Sequence, residues 1–221
     1  MSNALIWGYV HILILVFWLG ADVGVFTGAW LSRDATRSFE ARSAYLRVSL
    51  IVDLLPRSMF AIILPAGLHL TASLGMYAIP IWMFAAAWAL AAAWIAAILT
   101  IFLREGSVVA HGLAKVQLAG EFVLGFVIGG IGLASLLGNG PIREGWLAGK
   151  IVLLGLLFFI AIVLEFAFRP ALIPFTEIGT EGSTPEREQR YSSAVNRALV
   201  IVILLYLSLA VIAWFGKVKP F

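Results

Sequence analysis

The sequence predicts an all-α fold, a polytopic transmembrane helical bundle of about six spans, and three observations carry that expectation. Of 221 residues, 62% are hydrophobic and only 12% charged, against roughly half apolar and a quarter charged in soluble domains. The apolar residues gather into six stretches of about the 20 residues that a bilayer-crossing helix needs. The 15 Lys and Arg and 12 Asp and Glu fall mostly between those stretches. The net charge of +3 therefore reports loop placement, and no nucleic-acid partner is expected. A separate soluble catalytic domain is ruled out, so any chemistry sits among the helices. With no Cys in the chain, disulfides, thiolate nucleophiles, iron–sulfur clusters and covalent c-type haem attachment are removed.

The first span runs from about Ala4 to Trp30 and lacks the basic start and small-residue cleavage site of a secretory signal, so it is read as a retained helix. The second, about Ser49 to Ala78, contains Pro56 and Pro65 and is expected to kink. The third, Ile81 to Leu103, carries no charge. The fourth, about Leu113 to Leu137, stops at Gly138-Asn139-Gly140-Pro141, and the fifth runs from Trp146 to Phe168. The sixth covers about Val195 to Phe215. Ahead of it, Thr184-Pro185-Glu186 has the pattern of an N-cap, a Pro at the first helical position and an acidic first turn. The connection from Ala171 to Ser193, with its Pro and Gly residues, is long enough to cover a partner surface. It shows no phosphate-binding glycine pattern, and no chemistry is assigned to it.

Arg33, Arg37, Arg42 and Arg47 lie between the first two spans, and no Lys or Arg lies between the second and third. Arg104 and Lys115 follow, then Arg143 alone, then Arg169, Arg187, Arg190 and Arg197. This alternation fits six spans with both termini on the non-cytoplasmic side.

Ionisable residues inside spans cost free energy unless paired, solvated or bound. They are His11 and Asp22 on the first helix, Asp53, Arg57 and His69 on the second, Glu121 on the fourth, and Lys150 and Glu165 on the fifth. His11 and His69, on helices that run in opposite directions, reach a similar level in the outer half of the bilayer at ~1.5 Å per residue, and Lys150 enters at a comparable or slightly shallower depth. Two imidazoles from different helices suit a six-coordinate haem b, with Gly8, Gly67, Gly75, Trp7 and Phe17 available to fill the slots beside them. The alternative for either His is an interhelical hydrogen bond. His111 reads as interfacial. His11, Trp18 and Asp22 share one helix face that is expected to point inward. Gly20, Gly24 and Gly28 form a small-residue ladder suited to helix packing. Asp53 and Arg57 are spaced to form an ion pair or to anchor a propionate, quinone or substrate carboxylate. Glu121 and Glu165 suit proton carriage or an Arg partner. Trp82, Trp88 and Trp94 read as lipid contact and packing.

The segment His11-Ile12 followed by Phe17-Trp18-Leu19-Gly20 resembles the opening helix of the copper-resistance D-like membrane proteins and of the haem-binding protoporphyrinogen oxidases of bacteria. Trp146-Leu147-Ala148-Gly149-Lys150 is similar to the Trp-x-x-x-Lys start of a later helix in those oxidases. The resemblance covers about a quarter of the chain. It implies a bacterial cytoplasmic (inner) membrane location and haem b associated with His11 and Lys150. The oxidases' Leu-Pro-Arg segment follows their first motif, whereas here Leu55-Pro56-Arg57 lies on the second helix. Copper chemistry would draw on Cys and Met, and the chain has no Cys and four scattered Met.

The expectation is a membrane haem b protein with His11 as one axial ligand, His69 or Lys150 as the other, and Arg57 as a candidate contact to the cofactor. It would carry electrons between a quinone or redox partner protein and the outer face, or oxidise a hydrophobic substrate. A transporter of copper or another small solute, using His11, Asp22 and His69, is the first rival. A structural subunit of a larger membrane complex is the second. Oligomeric state is left open.

Overall fold

A computed structural model describes residues 2–220. Among them the chain is helical with no strand, and six helical stretches are long and apolar enough to cross a membrane. The elements are α1 (Asn3–Ser32), α2 (Phe39–Val52), α3 (Leu54–Ser73), α4 (Ile81–Leu103), α5 (Val108–Leu136), α6 (Gly145–Phe168), a 3-10 turn (Arg169–Ala171), α7 (Leu172–Glu181) and α8 (Pro185–Val218). Large apolar side chains stay exposed along them, such as Ile81 at 86% and Trp82 at 66%. Faces of that kind are stable in lipid and aggregate in water.

The charge-free third stretch coincides with α4 at both ends. The second stretch is corrected: it begins at Phe39, ten residues early, and is α2 and α3 joined at Asp53. Pro56 explains the position of the break. It has no N–H for the carbonyl of Val52, and its ring crowds that carbonyl, so the helix yields one turn ahead of the proline. Pro65 passes inside α3 without interrupting it.

Two helix ends close through glycine. The Gly75 N–H bonds the Ala72 carbonyl at 3.0 Å and the Met76 N–H bonds Thr71 at 3.3 Å, with Gly75 at φ +70. The same pair of bonds recurs from Gly138 to Ser135 and from Asn139 to Ala134, with Gly138 at φ +80. These are Schellman closures, in which a left-handed residue satisfies the last carbonyls. Gly75 is therefore a turn glycine at the end of α3. At the start of α8, Thr184 Oγ1 accepts from the Arg187 N–H at 3.3 Å, with Pro185 at the first helical position.

The 171–193 connection is also corrected. It is α7 and the first turns of α8, with only residues 182–184 outside a helix. Phe175 of α7 stacks between Phe39 and Tyr191 at 5.1 and 4.8 Å. These ring contacts pack α7 against the starts of α2 and α8.

Contacts divide the chain into two compact units. The first comprises the chain to Gly28 and Leu46–Gln117. In it α1 and α3 run antiparallel. Gly8 lies near Leu70, His11 near Gly67, and Trp18 near Phe60, so partners step down one helix as they step up the other. Ile14, Trp18 and Asp22 are buried on this stripe. Of the expected Gly20–Gly24–Gly28 ladder, the first two make no close crossing: a Cβ at Gly20 would meet nothing within 4 Å, and one at Gly24 would meet Val52 at an ordinary 3.6 Å.

The second unit comprises Ala29–Tyr45 and Leu118–Phe221. Its close crossing is between α5 and α6. A Cβ on Gly155 would lie 2.5 Å from the Gly129 backbone and 2.9 Å from the Gly125 carbonyl. α6 and α8 run antiparallel, with Gly149 against Phe215 and Lys150 against Gly216. The buried face of α8 follows Tyr191, Ala194, Val195, Ala198, Val202, Leu205 and Leu209 at helical spacing.

Candidate functional site

In the first unit, the antiparallel contact of α1 and α3 sets the two histidines at nearly one level. The His11 ring lies over Gly67, whose added Cβ would sit 3.6 Å from His11 Cε1. His69 is two residues further along α3, about 3 Å along the axis.

His69 is held in an aromatic box. Trp7 stacks on one face at 4.1 Å with the planes 5° apart, and Phe84 stacks at 4.4 Å with a tilt of 24°. Trp88 donates its indole N–H to His69 Nε2 at 3.1 Å. These contacts come from α1 and from successive turns of α4. Nε2 is thus an acceptor, and the neutral ring carries its proton on Nδ1. An axial ligand needs the same Nε2 lone pair that Trp88 occupies, so coordination through that atom requires Trp88 to leave. As placed, His69 ties three helices together. Trp7, named as slot filling, is a wall of this box, and Phe17 is 52% exposed. Trp88, read from sequence as lipid contact and packing, is the hydrogen-bond donor of this packing.

Arg57 Nε donates to Asp53 Oδ2 at 2.6 Å. Arg57 lies ten residues from Gly67, about 15 Å along the axis, and its bond runs toward the start of α3, away from His11. The geometry fits the ion-pair alternative and separates Arg57 from the histidine layer. No group of three or more His, Asp or Glu that could hold a metal ion exists among the described residues.

In the second unit, Lys150 extends along α6 onto α8. A Cβ at Gly216 would lie 2.8 Å from Lys150 Nζ, so the missing side chain at 216 makes the space for the amine. No hydrogen bond or ion pair reaches Lys150 among the described residues. Next to it, Lys219 Nζ sits 5.0 Å over the Trp146 ring. The lone pair of a lysine amine and that of an imidazole are both donors that haem iron accepts. His11 in the first unit and Lys150 in the second are each such a donor, and each lies against a helix glycine.

Glu165 pairs with Arg169, the Arg-partner alternative read from sequence. Glu121 is buried at 7% exposure, and His111 is exposed and bonds through Nδ1 to the Ser107 carbonyl at 2.9 Å.

The most developed polar cluster was not legible as a site. Arg42, counted from sequence as a connection charge, is 2% exposed on α2. It forms two parallel bonds to Glu188 of α8, each 2.8 Å, and donates Nε to the Ser32 carbonyl at 2.7 Å. Its guanidinium lies 5.5 Å from the Tyr191 ring, and the Tyr191 hydroxyl meets the Ser32 hydroxyl at 2.6 Å. Ser183 Oγ completes the cluster by donating to Glu188 at 2.7 Å. A signal existed: Ser38 Oγ caps the Ala41 N–H at 3.3 Å, and Ser-Phe-Glu is a helix-start pattern that would have put Arg42 in a first turn.

In the connection between α1 and α2, the Asp34 carboxylate accepts from both the Thr36 hydroxyl and backbone and from Arg37 Nε. These bonds, Thr36 first, hold its pKa below the usual aspartate value.

No family model, no curated protein and no solved structure matches this chain.

Proposed function

We propose that this is a multi-pass protein of the bacterial inner membrane that binds haem b, with His11 and Lys150, each taken within its own unit, as the side chains that would donate to it, and with both termini outside the cytoplasm. The observation that carries the reading is Lys150: an amine inside a span, over a glycine, with no ion pair or hydrogen bond among the described residues. Ionisable groups at such depth mark functional sites by default, because their desolvation is otherwise uncompensated. In the other unit, His11 is a donor at the α1–α3 contact. His69 is left as the hydrogen-bonded pivot of its aromatic box, since its Nε2 is engaged by Trp88.

Haem in such a setting supplies a one-electron couple whose potential follows its axial ligands and the surrounding dielectric. The chain's part is to fix the two donors and to exclude water. His11 is set among buried Ile14 and Trp18 on its own helix. Lys150 is aligned by the packing of Gly149 against Phe215 and of its own amine against Gly216. The activity proposed is electron carriage between a quinone or redox partner protein and the outer face, ahead of oxidation of a substrate such as a porphyrinogen. The orientation rests on charge: residues 33–38 carry Arg33 and Arg37, while residues 74–80 carry no Lys or Arg.

The test is the absorption spectrum of detergent-purified protein from haem-replete cells, oxidised and dithionite-reduced. A Soret band with sharp reduced α and β bands is expected, and a featureless spectrum refutes the reading. Gly216→Ala adds a specific check. The new methyl displaces the end of a flexible side chain and not backbone, while Gly→Ala in a helix gains about 0.5–1 kcal/mol. The variant is expected to lose haem or shift its Soret band without losing thermal stability.

A second reading, a structural subunit of a membrane complex, is favoured by the His69 box alone. It expects His69→Ala to lower the melting temperature in a protein that has no cofactor to lose.

A further inference from the structure

The face of α8 that meets α7 and the 3-10 turn forms an open groove of about 520 Å³. Its lining includes Arg190, Arg197, Ser193 and Gln189 on α8, with Pro170 and Ile173 opposite. The α8 residues fall at intervals of three and four, so they form one stripe along the helix.

Three observations place this groove at a water–lipid boundary and give it an anionic preference. Arg197 is the last charged residue of α8 before the uncharged run Ala198–Gly216. Beside it in sequence, Asn196 accepts a bond from Arg33, whose guanidinium lies 5.5 Å over the exposed Trp30 ring. Exposed Trp with Arg above it is the arrangement of an interfacial anchor. The charge is also unbalanced at this end. Arg190 is bound to Glu177 at 3.1 Å, whereas Arg197 has no carboxylate partner among the described residues. The one acid in the lining, Glu186, is eleven residues from Arg197, about 16 Å along the helix and toward the water side. Ile173 opposite is 64% exposed.

We infer that this groove binds the phosphodiester of an anionic phospholipid. Arg197 and Ser193 hold the phosphate oxygens, Arg190 flanks them, and Ile173 and Pro170 lie against the glycerol and upper acyl chain. Basic pockets beside membrane helices take lipid headgroups in this way. The inference does not depend on haem.

Purified protein in detergent is titrated with phosphatidylglycerol and, separately, with phosphatidylcholine, and bound lipid is counted by native mass spectrometry. Phosphatidylglycerol is expected to bind the preferred site, and Arg197→Gln to weaken it about fivefold, the fold-change of about 1 kcal/mol for one basic residue at an anionic surface. Arg104→Gln, at the C-cap of α4, is expected to leave it unchanged. Thermal melting of each variant controls for folding, and Ser193→Ala, exposed on α8, gives a second, milder loss. Equal binding of the two lipids overturns the inference, as does an equal effect of Arg104→Gln, which would make the attraction general. Displacement of phosphatidylglycerol by inorganic phosphate at equal concentration would assign the groove to a soluble phosphate and likewise overturn it.

Discussion

Glu188→Gln is expected to lower the unfolding free energy of the solubilised protein by about 3–5 kcal/mol, the cost of leaving one member of a buried ion pair without its partner. Arg42 is 2% exposed and its side chain meets Glu188 through two bonds of 2.8 Å. Glutamine keeps the size and one acceptor but removes the charge, so the guanidinium stays buried and uncompensated. The Ser32 carbonyl and the Tyr191 ring still face it, and neither neutralises it. The double variant Arg42→Met with Glu188→Leu is expected to recover most of the loss, because replacing a whole buried pair by apolar side chains is often neutral or better. Thermal or denaturant unfolding in detergent reads both. A single variant as stable as wild type would show that the pair is solvated and that the cluster does not fasten α2 to α8.

Gly155→Leu is expected to prevent the α5–α6 crossing and to reduce the yield of folded protein sharply. Even a methyl at this position would lie 2.5 Å from Gly129 Cα and N, and backbone cannot rotate away as a side chain can. Overpacking of a well-fitted contact costs about 1–3 kcal/mol and occasionally more, and four extra carbons against a helix backbone belong at the upper end. Gly20→Leu is the matched control, since nothing lies within 4 Å of its added Cβ. It is expected to leave yield and melting temperature nearly unchanged. Comparable losses in the two variants would mean that leucine itself, and not the crossing, is responsible.

The parts of the fold that were legible have local causes. α4 is bounded by Pro80 and by Arg104, and no charge interrupts it. The turns at Gly75 and Gly138 and the cap at Thr184 need only a few consecutive residues to form. The relative level of His11 and His69 was legible too, because a fixed rise per residue places them near one another along antiparallel helices. What could not be read depends on which helix lies beside which. The stacking of Trp7 and Phe84 on His69, and the hydrogen bond from Trp88, come from two other helices. α7 was hidden because Pro174 and Gly179 read as breakers, while the ring of Phe39 occupies the space where a side chain at 179 would stand. The glycines of α1 and α5 show the same limit: a small-residue stripe permits close approach, and only the neighbour decides whether it happens.

The decisive comparison is the reduced-minus-oxidised absorption spectrum of His11→Ala, Lys150→Ala and His69→Ala, each purified beside wild type from haem-replete cells. Haem signal lost or displaced in His11→Ala and Lys150→Ala and kept in His69→Ala is the expected result. Signal lost in His69→Ala but kept in Lys150→Ala, or absent from wild type, would contradict the proposed donors.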